Sequence, residues 1–136
     1  MVAVQPFLMF QGECGPALEF YEAVLPGFRV DMIVRYGPGE PAPEGQVKQA
    51  LFTVGGQQVR CFDSPPVHAF SFTPAWSFWV DCGSEDELRR LAEDLKAGGG
   101  QDMMPVGDYG FSKLFAWVGD RFGVSWQLNL VAVAAG

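Results

Sequence analysis

The stretch VGDRFGVSWQLNL, residues 118–130, decides how the rest of the chain is read. After the turn Gly119-Asp120-Arg121-Phe122-Gly123, the side chains alternate, with Val124, Trp126 and Leu128 on one side and Ser125, Gln127 and Asn129 on the other. Period two with one apolar side predicts a strand over 123–130 that is covered by a packed layer on one face only. The opposite row, a hydroxyl and two carboxamides, either meets water or looks into a cavity where a ligand or metal could sit.

Working back from this strand, further strands are predicted at 112–119 and 101–106 and a helix at 85–97. The helix opens on the capping-box pattern Ser84-x-x-Glu87, buries Leu88, Leu91, Ala92 and Leu95 at helical spacing, and stops at Gly98-Gly99-Gly100. Before it, TPAWSFWVDC (73–82) reads as a strand. The first half of the chain follows the same order. A strand over 3–10 leads to a helix over 16–25 with Ala17, Phe20, Tyr21 and Val24 as its stripe, started by Pro16 and stopped by Pro26-Gly27. Strands at 28–36, 47–54 and 57–63 come next, the last two joined by Gly55-Gly56 as a two-residue hairpin loop. GPGEPAPEG, between the strands at 28–36 and 47–54, reads as a solvated, mobile loop.

The halves also echo each other in residues. QPFLMF (5–10) matches TPAWSF (73–78) in Pro and Phe at a spacing of 68, and Gly56 and Gly123 are 67 apart. A single βαβββ unit has one helix for a whole sheet, so two units, about 3–63 and 73–130, are expected to pair around a cleft within one domain spanning 1–136. The fold class is α+β.

Composition narrows the function. A chain of 136 residues with 49% hydrophobic and 18% charged residues packs a core without disulfides. Nine basic residues against 16 acidic give a net charge of −7, with no basic cluster beyond Arg89-Arg90, which argues against nucleic acid and anionic membranes as partners. No basic leader and no apolar run of spanning length is present, so a cytoplasmic protein is expected. Cys14, Cys61 and Cys82 are widely spaced and odd in number, which reads as free buried thiols. Cys14 alone has a second reading as a reactive thiol, because it precedes a helix start whose dipole lowers a thiol pKa.

Duplicated βαβββ units, the FY pair in the first helix and D-x-F-G-x-x-W-Q-L on the last strand resemble the vicinal oxygen chelate superfamily of glyoxalases, extradiol dioxygenases and bleomycin-resistance proteins. More narrowly, PFLMF…ALEFYEAVLPGF, FTPAWSFWVDC and the run from Gly107 to Leu128 resemble the PhnB-like family, which carries the name 3-demethylubiquinone-9 3-methyltransferase. The likeness spans about 5–130. It implies a homodimer and, for enzymes of the superfamily, a divalent metal. Carried over, the ligand positions fall on Gln5, on Arg60 or Cys61, on Ala75 or Ser77, and on Gln127. Arginine cannot ligate, alanine has no donor and neutral amides are weak ligands, so no metal or other cofactor is expected. Asp63 is the one carboxylate that could rescue a metal site, and the only histidine, His68, lies off every ligand position. Nor does the methyltransferase name find its glycine-rich turn after a first strand, since the densest glycine run follows a helix.

The expected cleft lining is Gln5, Phe7, Met9, Arg60, Phe62, Ser77, Trp79, Gln127 and Asn129, with Tyr109 on a segment, Gly107–Lys113, that either closes over it or is a plain surface connection. Phe7, Phe62 and Trp79 read equally well as ligand walls or as filling between sheets. Trp126 and Phe20 read as core. Two functions stay open: a metal-free protein that binds a small organic molecule, and a glyoxalase- or dioxygenase-related enzyme of lyase, isomerase or oxygenase type. In the second, Arg60 would steady an anion and Asp63 or Tyr109 would move a proton. No catalytic set of residues is evident, which favours the first.

Overall fold

The structure, a computed structural model, describes residues 1–131. The chain divides into two compact units, Met1–Ser71 and Phe72–Gly136. Unit one runs β1 (Phe7–Phe10), α1 (Cys14–Val24), β2 (Arg29–Arg35), β3 (Val47–Val54) and β4 (Gln57–Asp63); unit two runs β5 (Ser77–Cys82), α2 (Glu85–Lys96), β6 (Gln101–Gly107), β7 (Phe115–Gly119) and β8 (Ser125–Leu130). Each is a four-stranded mixed sheet with one helix, in the orders β1-β4-β3-β2 and β5-β8-β7-β6. The first strand of each unit pairs in parallel with the last, and the other pairings are antiparallel. This is the expected α+β, twice-built βαβββ plan.

One helix covers one face of each sheet, and burial alternates accordingly. In unit one Leu8, Phe10, Ala50, Phe52, Val59 and Cys61 are buried on the helix side, with Tyr21 of α1 against Phe28 and Phe52. In unit two the matching layer is Phe78, Ala116, Val118, Trp126 and Leu128 beneath Leu88, Leu91, Ala92 and Leu95 of α2, and the Trp126 indole stacks on Phe78 at 4.5 Å. Apolar burial of this kind contributes roughly 1.5–3 kcal/mol for each large side chain.

Several boundaries and details differ from the sequence reading. β1 begins at Phe7, after Pro6, which has no N–H to give a ladder; β5 begins at Ser77, after a turn at Pro74-Ala75; and β7 begins at Phe115. Helix α1 begins at Cys14 and buries Cys14, Ala17, Leu18 and Tyr21, leaving Phe20 and Val24 half-buried, so its stripe is rotated from the expected one. GPGEPAPEG is tied down: Gly37 N–H donates to Glu40, Lys48 pairs with Glu40, Arg35 donates to the Gly45 carbonyl, and Ala42 is buried. The echo of QPFLMF in TPAWSF is not a structural equivalence. Phe10 lies opposite Asp63 at the end of its ladder, whereas Phe78 lies opposite Trp126 inside its own. The ladders instead match Phe7, opposite Arg60, with Trp79, opposite Gln127, and keep the 67-residue spacing of the two glycine turns.

Candidate functional site

Strand alternation leaves one face of each sheet without a helix, and the candidate residues sit on those two faces. In unit one Gln5 precedes β1, Phe7 and Met9 alternate with the buried Leu8 and Phe10, and Arg60 and Phe62 alternate with the buried Val59, Cys61 and Asp63. The Phe7 and Phe62 rings lie 5.0 Å apart, yet Phe7 keeps 64% of its surface exposed. Beside them a polar relay crosses the sheet. Arg60 Nε donates to Gln5 Oε1 at 2.8 Å, and Gln5 Nε2 donates to Gln58 Oε1 at 2.8 Å. Asp31 sits at the far side, accepting from Thr53 and Arg29, and these bonds hold its carboxyl below the ordinary range.

Unit two presents a different row. Gln127 Nε2 donates to Ser77 Oγ at 3.2 Å, Ser77 shares a hydrogen bond of 2.6 Å with Ser125, and Trp117 Nε1 donates to Ser125 at 2.7 Å. Further along, Asp81 Oδ1 accepts from both Trp79 Nε1 and Asn129 Nδ2, while Ser112 Oγ donates to Asn129 Oδ1. Trp79 is 55% exposed. A pocket of about 180 Å³ opens at one end of this unit, lined by Phe72, Pro74, Gln101, Met103, Asp120 and Ser125 among others. Tyr109 does not stand free in the face. With Phe111 it packs edge-on over Phe115, whose ring it helps bury, and its hydroxyl donates to the Pro105 carbonyl. The 107–113 segment is thereby anchored to its own sheet.

Asp63 takes another role than those considered for it. It points to the helix side, 1% exposed, where Oδ1 accepts the N–H groups of Gly12 and Cys14 at 2.9 and 2.8 Å and Oδ2 accepts that of Val47 at 2.9 Å. Its carboxylate thus caps α1 and ties it to β3, and neither a metal nor a proton transfer on the open face can use it. Cys14, beneath it, has no depressed pKa. Its thiol donates to the Cys61 sulfur at 3.6 Å, and this bond and burial both push its pKa well up, so the helix dipole loses. Cys82 is likewise pushed up to about 11 by burial. His68 is exposed and stacks against Phe70.

The ligand positions carried over from the metal enzymes fit a cation poorly. Gln5 is committed to Arg60 and Gln58, Gln127 to Ser77, Cys61 lies in the core beside Cys14, and Ala75 offers nothing. Among the described residues no three His, Cys, Asp or Glu side chains come together as a metal site. Sequence reasoning missed Gln58, which accepts from Gln5 in the unit-one relay, and Asp81, the common acceptor for Trp79 and Asn129 in unit two. Both share the alternation of residues it did pick, Gln58 with Arg60 and Asp81 with Trp79, so the signal was present. Among the described residues no helix is long and apolar enough to cross a membrane.

Comparison with known proteins places this arrangement. The family model described as 3-demethylubiquinone-9 3-methyltransferase matches residues 2–129. A solved structure described as a putative 3-demethylubiquinone-9 3-methyltransferase, PhnB protein, from Bacillus cereus is 41% identical, with a TM-score of 0.90 over 96% of this chain and 100% of that one. The curated protein YjdN of Escherichia coli is 24% identical over 94% of this chain and 95% of its own. At 17% identity, a glyoxalase-related enzyme from Fulvimarina pelagi shares the fold, with a TM-score of 0.65 over 98% of this chain and 94% of that one.

Proposed function

The chain belongs to the 3-demethylubiquinone-9 3-methyltransferase (PhnB-like) family, and from that premise we propose that it binds a small organic molecule on its uncovered sheet faces without a metal. The observation that carries the reading is the state of the donor positions. They hold amides and a guanidinium engaged with one another, next to rings that are exposed rather than packed. A dication would need several anionic or imidazole donors to replace its water, whereas a flat or partly apolar molecule needs rings and a few oriented hydrogen bonds.

Methyl transfer from a nucleotide-bearing cofactor is disfavoured on the same physical grounds. The strand-to-helix turn where such a cofactor would set its polar groups is Gln11-Gly12-Glu13, and the amides at the start of α1 are already taken by Asp63. The glycine run instead closes α2, with Gly98 against the Arg121 guanidinium and Gly100 against the Gly119 and Lys96 carbonyls. A homodimer, supported by the family resemblance, is part of the proposal. A native mass spectrum of protein purified without chelator tests it: the expected species is a dimer free of divalent metal that retains an organic adduct, and one tightly held divalent ion per chain overturns it.

A further inference from the structure

We infer that the uncovered face of unit one is a receptor for an organic carboxylate with a planar apolar body, Arg60 being the anion contact and Gln5 and Gln58 the residues that position it. This rests on the binding reading above and adds the class of ligand. Arg60 stands in the middle of the sheet, opposite Phe7 on β1 and Leu51 on β3, with Phe62 two residues along its own strand. Among the described residues it makes no ion pair, in a chain whose net charge is −7.

The relay fixes where its free donors point. Gln5 presents its oxygen to Arg60 Nε and its nitrogen to Gln58, and the reverse amide orientation would set N–H against N–H. The Gln58 side chain is also among the groups that hold the Asp31 carboxyl low, so the relay runs from a cation toward an anion. With Nε–H committed, the guanidinium has its terminal Nη groups left, an end-on fork that matches the two oxygens of a carboxylate. The other cation on this face, Arg29, is spent on Asp31, so the site offers one uncompensated positive charge and suits a monoanion better than a phosphate dianion.

An Arg–carboxylate pair in open water is worth little, and the rings decide the rest. The tilted Phe7–Phe62 pair lies beside the guanidinium with Phe7 largely exposed. A flat apolar body laid on it would shed water from both rings and from the ion pair, which strengthens the pair as the local dielectric falls.

Protein-observed NMR titration of the full chain with benzoate and with its neutral isostere benzamide tests this. The expected result is benzoate binding about tenfold or more tighter than benzamide, the scale of a charge-assisted hydrogen-bond pair, with shifts at the Gln5 and Gln58 side-chain amides. Arg60→Gln, which still has a donor for Gln5, should bring benzoate down to the benzamide level and leave benzamide unchanged. Gln5→Glu, which puts a carboxylate against Arg60, should weaken benzoate alone, an effect that a merely structural role for Gln5 would not give. Equal binding of both compounds, unaffected by Arg60→Gln, overturns the carboxylate inference while leaving the binding reading standing. Binding of neither overturns both.

Discussion

The two units share a plan and differ in what holds their helices and in what their open faces offer. Helix α2 is capped from within its own sequence, Ser84 accepting the Glu87 N–H at 3.2 Å, with three acidic residues in its first turn and Lys96 in its last. Helix α1 has no side-chain cap of its own and no charges placed for its dipole; its N-terminus is satisfied by Asp63, at the end of β4. The faces differ in kind. Unit one's relay ends in the free N–H donors of Arg60, while unit two's networks converge on the acceptors Asp81 and Ser125 beside Trp79. Repetition of a fold therefore conserves the strands that build a face and leaves its chemistry free to diverge.

If the capping contrast is right, the largest effect should come from Asp63→Ala. It strands the buried N–H groups of Cys14 and Val47 and the half-buried one of Gly12, and should cost about 3–5 kcal/mol in chemical denaturation. Ser84→Ala, the corresponding loss on α2, should cost only about 1 kcal/mol, because an exposed helix end turns to water. Equal costs would mean that Asp63 is not what starts α1.

The helix stops extend the comparison. An added Cβ at Gly100 would sit 2.5 Å from the Gly119 carbonyl oxygen and 2.7 Å from that of Lys96, whereas at Gly27 it meets nothing within 4 Å although φ is +72°. Gly100→Ala should therefore cost about 2–4 kcal/mol in steric strain. Gly27→Ala should cost about 1 kcal/mol, for its backbone conformation alone. Thermal unfolding of the two variants would separate them by several degrees.

The smallest expected effect is electrostatic. Asp31's carboxyl is lowered chiefly by the Thr53 hydroxyl and then by Arg29, so its contribution to stability is present above the unfolded value, near about 4, and fades as pH falls through the lower folded one. Thr53→Val should raise the folded value toward the unfolded one and shrink the acid-side loss of stability. A carbon-detected titration of the Asp31 carboxyl reads the shift directly, and an unchanged midpoint would show that Thr53 does not hold it.

Much of this was legible in the sequence because it is local. The capping box, the Leu88/Leu91/Ala92/Leu95 stripe, the hairpin at Gly55-Gly56 and the alternation of 123–130 each depend on residues a few positions apart, and each element formed there. What was not legible depends on distance along the chain. Asp63 meets Gly12 and Cys14 across 51 and 49 residues, and nothing near it marks a helix cap. Its removal from the pool of possible metal ligands or proton carriers follows only from that meeting, and the raised pKa of Cys14 follows from burial and from its contact with Cys61, 47 residues away. The open-face residues fell between these cases: alternation places Gln58 and Asp81 on the same faces as Arg60, Trp79 and Gln127, but that Gln58 bonds Gln5 and that Asp81 gathers Trp79 and Asn129 emerges only from the folded arrangement.

The central claim, that these faces hold an organic molecule through amides, rings and a guanidinium rather than through a metal, meets its most direct test in the side-chain amide resonances of Gln5, Gln58, Gln127 and Asn129. On addition of equimolar Mn²⁺, all four should remain sharp. Selective paramagnetic broadening of Gln5 and Gln127, lost in a Gln5→Ala or Gln127→Ala variant, would contradict the claim outright.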